Sequence, residues 1–408
     1  MNCRHCSTEL NNCLIDLGSA PPSNSFLTAK TLREPETWLP LRVLVCEACW
    51  LVQTEDYACA TDLFHSDYAY FSGYSSSWLL HCEEFVNQIA PALELDSKSL
   101  VVEVASNDGS LLKYFKAKGI NCLGVEPTES TAEAARKNGI QVVQKFFSSK
   151  TAKQLKSNGY GADLMIANNV LAHVPDINDF VLGFSELLNA EGVVTFEFPH
   201  VYQMIKNLQF DTIYHEHFCY LSLKSVESVL SANGLSIFNV EEIDTHGGSL
   251  RVYAQKSNTG IFPINENVPN MRSNEQNWGV CDIEFYNGFQ AKCNDIKYEL
   301  VNFLMKAKRS SWKVAGYGAA AKANTLLNFA GIKQDLLHYV IDKNPNKQSK
   351  FMPGSRIPVR GIEYLSNDRP DFIIIFPWNI KDEISKELTN FKDWTGKIVT
   401  FIPEMEIL

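Results

Sequence analysis

Residues 212–221 read TIYHEHFCYL and set Tyr214, His215, Glu216 and His217 side by side. Such a run can be a set of metal ligands, a catalytic base with helpers, or a polar turn. As metal ligands the trio His215–Glu216–His217 is poorly spaced. It is not the helical H-E-x-x-H arrangement, and in an extended chain alternate residues face opposite ways, which parts Glu216 from both histidines. Two cysteine pairs are a separate centre. Cys3-x-x-Cys6 and Cys46-x-x-Cys49 each have the spacing of a knuckle turn, and two such pairs complete a tetrahedral, all-sulfur zinc site with no open position. Neither pair opens a helix in a βαβ setting, as a redox pair would. Cys13 and Cys59 are spare thiols.

Two further stretches suit nucleotides. VVEVASNDGSLL (101–112) is a strand, a turn and the start of a helix. Glu103 ends the strand, and Ala105 and Gly109 allow close backbone approach. One glycine is too few for the G-x-G-x-x-G cradle of a dinucleotide pyrophosphate, so a smaller nucleoside fits better. Glu126, followed by Pro127, ends the next strand, where a carboxylate can accept hydrogen bonds from ribose hydroxyls. Near the other end, VAGYGAAAKAN carries Gly316-x-Gly318-x-x-Ala321 with Asp342 about twenty residues on, a dinucleotide fingerprint that on its own points to NAD(P)H.

The elements that hold these residues follow from periodicity. Residues 1–70 are rich in cysteine, proline and aromatics, as in a small module stapled by metal. From 99 onward, apolar runs at 99–106, 121–126, 140–144, 163–168 and 192–198 alternate with helical stretches, which implies a parallel sheet covered on both faces. Runs at 235–243 and 249–255, joined by DTHGG, read as a hairpin. The expected central domain, 71–258, therefore has about seven strands. Residues 258–285 are polar and rich in asparagine and read as a linker or a long excursion. A long helix at 284–309 then leads into a second α/β unit with strands near 313, 336–342, 371–376 and 397–402, within a domain of residues 259–408.

The chain has 408 residues, 45% of them hydrophobic, and a net charge of −10. That composition is ordinary for a globular protein, and the acidic balance disfavours nucleic acid. No apolar run is long enough for a membrane span. The start, MNCRHC, lacks the apolar core of a signal peptide, so a cytoplasmic protein with reduced thiols is expected, with no membrane partner. Oligomeric state leaves no mark in the sequence, and a monomer is compatible with it.

In order, the four-cysteine module, EVASNDG, NNVLAHVPD (168–176), FEFPH (196–200), YHEHFCYLSL (214–223), HGGSLRVYA (246–254) and GYGAAAK closely resemble the sugar C-methyltransferases of deoxysugar biosynthesis. The resemblance covers essentially the whole chain. It implies a zinc module, a central class I methyltransferase domain of seven-stranded Rossmann-like form, and a second Rossmann-like domain that holds a sugar nucleotide. It also implies S-adenosylmethionine as cofactor and, as substrate, a 4-keto-6-deoxy sugar linked to thymidine or guanosine diphosphate, methylated beside the ketone, with carbon 3 favoured. By the same resemblance Glu103 and Asn107 lie near the methionine part of the cofactor, Phe146 or Phe147 stacks on adenine, and Asn168 faces the cofactor. His217 becomes the base, with Tyr214, Glu216 and His173 beside the substrate and Tyr68 and Tyr70 reaching it. Gly318, Lys322, Lys343, Asn344 and Lys347 become candidate contacts to the nucleotide. Two alternatives stay open: a bifunctional enzyme that also reduces the ketone with NAD(P)H, and a non-catalytic zinc and nucleotide-binding scaffold.

Overall fold

The computed structural model describes residues 1–57, 71–391 and 394–408, so Cys59, Tyr68 and Tyr70 lie outside the described residues. The N-terminal strands β1 (Asn12–Ala20), β2 (Leu39–Val45) and β3 (Val52–Thr54) pair antiparallel in sequence order. The two cysteine knuckles flank them. Trp50, just past the second knuckle, takes the left-handed φ of 61° that lets the chain reverse into β3.

The helix Ser76–Ala92 leads into a central sheet of β4 (Leu100–Val104), β5 (Asn121–Val125), β6 (Gln141–Val143), β7 (Ala162–Asn168) and β8 (Leu188–Pro199). The chain then gives β9 (Cys219–Tyr220), which leaves this sheet and pairs antiparallel with β3 of the N-terminal module. β10 (Leu235–Ile243) and β11 (Ser249–Lys256) return as the expected hairpin. The central order is β10-β11-β8-β7-β4-β5-β6, with β11 antiparallel to both neighbours. This is the seven-stranded class I methyltransferase topology expected from the sequence. Successive strand residues point to opposite faces, so both faces need apolar cover. Val102, Val104 and Phe196 pack with Phe180 and Phe184 on one face, while Val101, Leu164 and Val193 pack with Phe85 and Phe115 on the other.

The C-terminal sheet holds β12 (Val314–Tyr317), β13 (Val340–Ile341), β14 (Val359–Arg360), β15 (Phe372–Ile375), β16 (Lys397–Thr400) and β17 (Glu406–Ile407). Its order is β14-β13-β12-β15-β16-β17, parallel except for β17. The helix Phe289–Arg309 precedes it, close to the expected bounds. No helix among the described residues is long and apolar enough to cross a membrane.

The stretch 258–285 is not a plain linker. It contains the helix Asn267–Trp278, which buries Val268 and Met271 in the methyltransferase core. Its buried Glu275 accepts from His200 Nε2 at 2.8 Å, from Leu223 N at 2.6 Å and from Lys224 N at 2.9 Å. Glu275 thus caps the helix Leu223–Ala232 from another element, and a sparse, polar pattern hides a helix whose main buried contact is a carboxylate. Removing that carboxylate strands three donors, each at about 1–3 kcal/mol. Glu275→Ala should therefore lower the denaturant midpoint of unfolding clearly, by the equivalent of about 3 kcal/mol or more. A midpoint equal to wild type would contradict the capping role.

Candidate active site

The four knuckle cysteines converge. Their Sγ atoms all lie within 4.8 Å of one another, with Cys3–Cys49 and Cys6–Cys46 at 3.5 Å and Cys6–Cys49 at 3.6 Å. Zinc–sulfur bonds of ~2.3 Å in a tetrahedron put sulfurs ~3.8 Å apart, so the residues fit a structural zinc ion. Cys13 is not part of the group. Among the described residues these four cysteines are the group close enough to share an ion, and His215, Glu216 and His217 do not converge on one.

A cavity of about 480 Å³ runs from the β4 and β5 strand ends, past residues 212–221, to the C-terminal domain. At the first end the turn after β4 takes positive φ at Ala105 (57°), Asn107 (49°) and Gly109 (75°). Ala105 thus adopts the left-handed form that glycine takes without strain. Glu126 Oε2 accepts from Asn107 N at 3.0 Å, and Oε1 accepts from Thr128 N at 2.9 Å across Pro127, which has no N–H to give. A carboxylate has about four acceptor positions, so the Glu126 side chain, on the cavity wall, keeps room for a diol. Asn168 lines the same end, with both polar side-chain atoms buried and without a partner among the described residues. The residues therefore fit a polar nucleoside such as S-adenosylmethionine.

The other expected cofactor contacts differ in position. Asn107 lines the cavity as expected, and its side-chain oxygen also accepts from Ser72 N and Asp108 N, both at 3.0 Å, pinning the segment before the first long helix across the turn. Gly109 is off the cavity, since a Cβ there would meet Ile140 at 3.0 Å and Ala135 at 3.3 Å. Glu103 is also off the cavity wall, and burial beside Asp108 and Glu126 pushes its carboxyl well up. Phe147 packs edge-on against Phe180 and Phe184, whereas Phe146 is 46% exposed at the cavity rim and is the freer ring for stacking.

In the middle, His217 Nδ1 donates to Thr212 O at 2.8 Å, so Nε2 carries the lone pair and accepts from the Tyr214 hydroxyl at 2.7 Å. Burial first, then neighbouring His173, holds the His217 imidazole well below its ordinary value. His173 Nδ1 donates to Glu216 O at 2.8 Å, and its ring lies 4.6 Å from that of His217. Burial pulls His173 down to about 4. The Glu216 carboxyl accepts from Asn24 Nδ2 at 3.3 Å through Oε1, while Oε2 is buried with no partner among the described residues, and burial pushes the carboxyl up to about 7. His215 points away: its Nε2 bonds the carbonyls of Leu39 and Pro40, both at 3.2 Å.

At the far end the cavity meets Ala320, Ala321 and Lys322 at the start of the helix Ala321–Phe329, with Lys347 beside them. Lys322 donates to Asn379 Oδ1 at 2.6 Å and lies over the Trp378 ring, and burial lowers its ammonium to about 8. The glycines of the fingerprint are closely packed. A Cβ at Gly318 would stand 2.4 Å from Pro377, and one at Gly316 2.5 Å from Phe376. The glycines make room for Pro377 and Phe376, which lie just past the end of neighbouring β15. Asn344 closes a turn with Asp342 and Asn346, and Lys343 pairs with Glu387, both away from the cavity. The sequence reading missed Asn24, Thr54, Trp78 and Asn379. Only tertiary pairing brings them to the site, and no local pattern marks them.

Parts of the chain are similar to solved structures. A SAM-dependent methyltransferase from Archaeoglobus fulgidus is 14% identical, with 44% of this chain and 94% of that one covered and a TM-score of 0.36. The magnesium protoporphyrin IX methyltransferase ChlM of Synechocystis, with bound SAH, is 16% identical over 44% of this chain and 83% of that one, with a TM-score of 0.35. Family models match three modules in order: "Putative zinc binding domain" over 3–64, "Methyltransferase domain" over 79–240 and "C-methyltransferase C-terminal domain" over 244–403. The C-methyltransferase NovU of Streptomyces niveus is 29% identical over 406 residues, spanning 100% of this chain and 96% of that protein. The chain is an S-adenosylmethionine-dependent C-methyltransferase.

Two outcomes test the C-methyltransferase's ligand sites. Metal analysis should find one zinc per chain, and Cys3→Ser or Cys46→Ser should lower metal content and solubility. Fully folded protein purified without metal would contradict the zinc site. Glu126→Ala should weaken S-adenosylmethionine about ten- to a hundredfold by calorimetry, the loss of charge-assisted hydrogen bonds worth roughly 1.5–3 kcal/mol. Unchanged affinity would remove Glu126 from the cofactor site.

Proposed function

We propose that this C-methyltransferase acts on a nucleotide-linked 4-keto-6-deoxy sugar, at the carbon beside the ketone, with carbon 3 favoured and a thymidine or guanosine diphosphate as the handle. The observation that carries the reading is the His217–Tyr214 pair. A carbon next to a ketone gives up its proton only to a positioned base, and His217 Nε2 is a lone pair held neutral in a buried cavity.

In this reading His217 Nε2 takes the proton from carbon 3, and the C–H electrons become the carbon 3–carbon 4 π bond as the carbonyl pair moves to oxygen. Nε2 is free for that proton once the substrate has displaced the Tyr214 hydroxyl from it. His173 and Glu216 line the same wall, and Glu216, a carboxyl near 7, can exchange a proton with the site. When bound, S-adenosylmethionine supplies an electrophilic methyl whose bond to sulfur breaks, with its pair left on sulfur, as the new carbon–carbon bond forms. The ketone returns as the enolate electrons move to the methyl carbon.

The far end of the cavity suits the nucleotide's pyrophosphate. The first turn of Ala321–Phe329 has no side-chain cap, so its N–H groups favour an anion, and Lys322 and Lys347 stand beside it. A protein of this chemistry belongs in the cytoplasm with its sugar nucleotide.

The test is His217→Asn, which keeps size but takes up no proton. Methyl transfer should fall by roughly 10²–10⁴, and affinity for cofactor and sugar nucleotide should stay close to wild type, because the loss is confined to the transition state. Turnover near wild type would sink His217 as the base.

A further inference from the structure

The β10–β11 connection does more than reverse the chain. Thr245–Gly247 is a single 3-10 turn in which His246 sits at φ 55°, ψ 20°. A non-glycine residue held left-handed is strained and persists only where its surroundings enforce it. The surroundings here do so from both sides. A Cβ on Gly247 (φ 89°) would stand 2.4 Å from the Trp378 ring, and one on Gly248 (φ 109°) 2.7 Å from Gln203. Gly247 O accepts from Gln209 Nε2 at 2.8 Å, and His200 N donates to Gly248 O at 3.0 Å. Thr245 Oγ1 donates to Glu197 Oε1 at 3.3 Å, and the fully buried Glu197 is itself fixed by His81 and Arg251 at 3.0 Å.

All of that restraint delivers one imidazole to the cavity wall, beside Trp78. His246 differs from the other histidines near the site. His81, His173, His200, His215 and His217 each have a ring nitrogen hydrogen-bonded within the protein. His246 makes no such bond among the described residues, although it is part of the same electrostatic group as His217, His173 and Lys322. A strained residue, clamped on both sides, with free ring nitrogens inside a ligand cavity is placed for a ligand.

We propose that His246 is a catalytic residue of the methyl transfer, its ring N–H donating to the oxygen of the substrate ketone as that oxygen gathers charge. The inference rests on the ketone substrate proposed above. Enolisation needs two separate things, a base at carbon and a donor aimed at oxygen. Tyr214 spends its hydroxyl on His217 Nε2 in the resting site, so a donor not tied to the base has to serve the oxygen. Burial first, and Lys322 second, pull His246 down to about 4. The ring is therefore neutral at working pH and keeps one N–H, and a neutral imidazole polarises a carbonyl without surrendering its proton. No proton is transferred in this role; the hydrogen bond strengthens as the oxygen becomes negative and relaxes when the ketone reforms.

The experiment uses the zinc-loaded full chain with S-adenosylmethionine and 4-keto-6-deoxy sugar nucleotides, and follows kcat, KM and exchange of the sugar's carbon 3 proton into heavy water. His246→Ala should lower kcat and proton exchange together by about 10²-fold, with KM for the sugar within a few-fold of wild type. His246→Asn tolerates the left-handed backbone and mimics Nδ1, while His246→Gln mimics Nε2. One of the two should regain at least tenfold. A merely structural role would not give that pattern of rescue. His246→Ala with wild-type kcat and exchange, or no recovery in either amide variant, overturns the proposal while leaving the ketone reading in place. Wild-type enzyme that methylates none of the 4-keto sugars overturns the reading itself, and the proposal with it.

Discussion

The site depends on where residues 211–220 are held, and all three modules hold them. From the zinc module, β3 pairs with β9, Thr54 N donates to Phe218 O at 3.1 Å and Thr54 Oγ1 to His217 O at 3.2 Å. The methyltransferase domain supplies Ala172 O, which accepts from Phe218 N at 2.7 Å, and His173, which bonds Glu216 O. The C-terminal domain supplies Thr325, donating to Ile213 O at 2.8 Å, and Trp378, donating to the buried Asp211 at 2.8 Å. A base must lie within hydrogen-bond reach of its proton, so a small displacement is costly. Three independent anchors on ten residues meet that need better than any local turn would. The zinc knuckle reaches this network through Gln53, which lies opposite Cys219, contacts Cys3 Sγ at 3.3 Å and takes a bond from Arg4 N at 2.9 Å, and through the Arg4 guanidinium, which donates to Thr54 O at 2.9 Å and lies 4.9 Å from the Phe218 ring.

Burial sets the protonation of the cavity more than any charge pair. It pulls His173 and His246 down to about 4 and Lys322 to about 8, and pushes Glu216 up to about 7. Each shift moves a group toward neutrality, as expected where water is excluded. Around neutral pH the imidazoles are free bases, while the Lys322 ammonium keeps most of its charge. Lys322 thus biases the cavity toward anions, whether a phosphate or a developing enolate.

The fold was largely legible because its signals are local. Alternating apolar runs and helices at 99–198 and the hairpin at 235–255 gave the central sheet nearly to the residue, and the cysteine spacing gave the metal site. What escaped depended on distance along the chain. His215 is a tie to Leu39 and Pro40, 176 and 175 residues away, and nothing in HEH says so. The helix Asn267–Trp278 was hidden because a carboxylate, Glu275, is among its few buried residues. The G-x-G-x-x-A letters do not separate two uses of glycine: here the glycines make room for Phe376 and Pro377, and glycines that only admit a ligand would leave the same letters. Gly109 likewise serves the shape of the turn, which residue type alone does not distinguish from ligand contact.

The central claim is that the zinc module holds the catalytic loop in place. Amide hydrogen exchange, read by mass spectrometry on zinc-loaded and metal-stripped enzyme and paired with a methyl-transfer assay, tests it most directly. Stripping the metal should raise exchange in residues 1–57 and, with it, in 217–221, abolishing transfer while β4, β7 and β8 stay protected. A stripped enzyme whose first 57 residues exchange freely, yet which keeps 217–221 protected and still transfers methyl groups, would contradict the account.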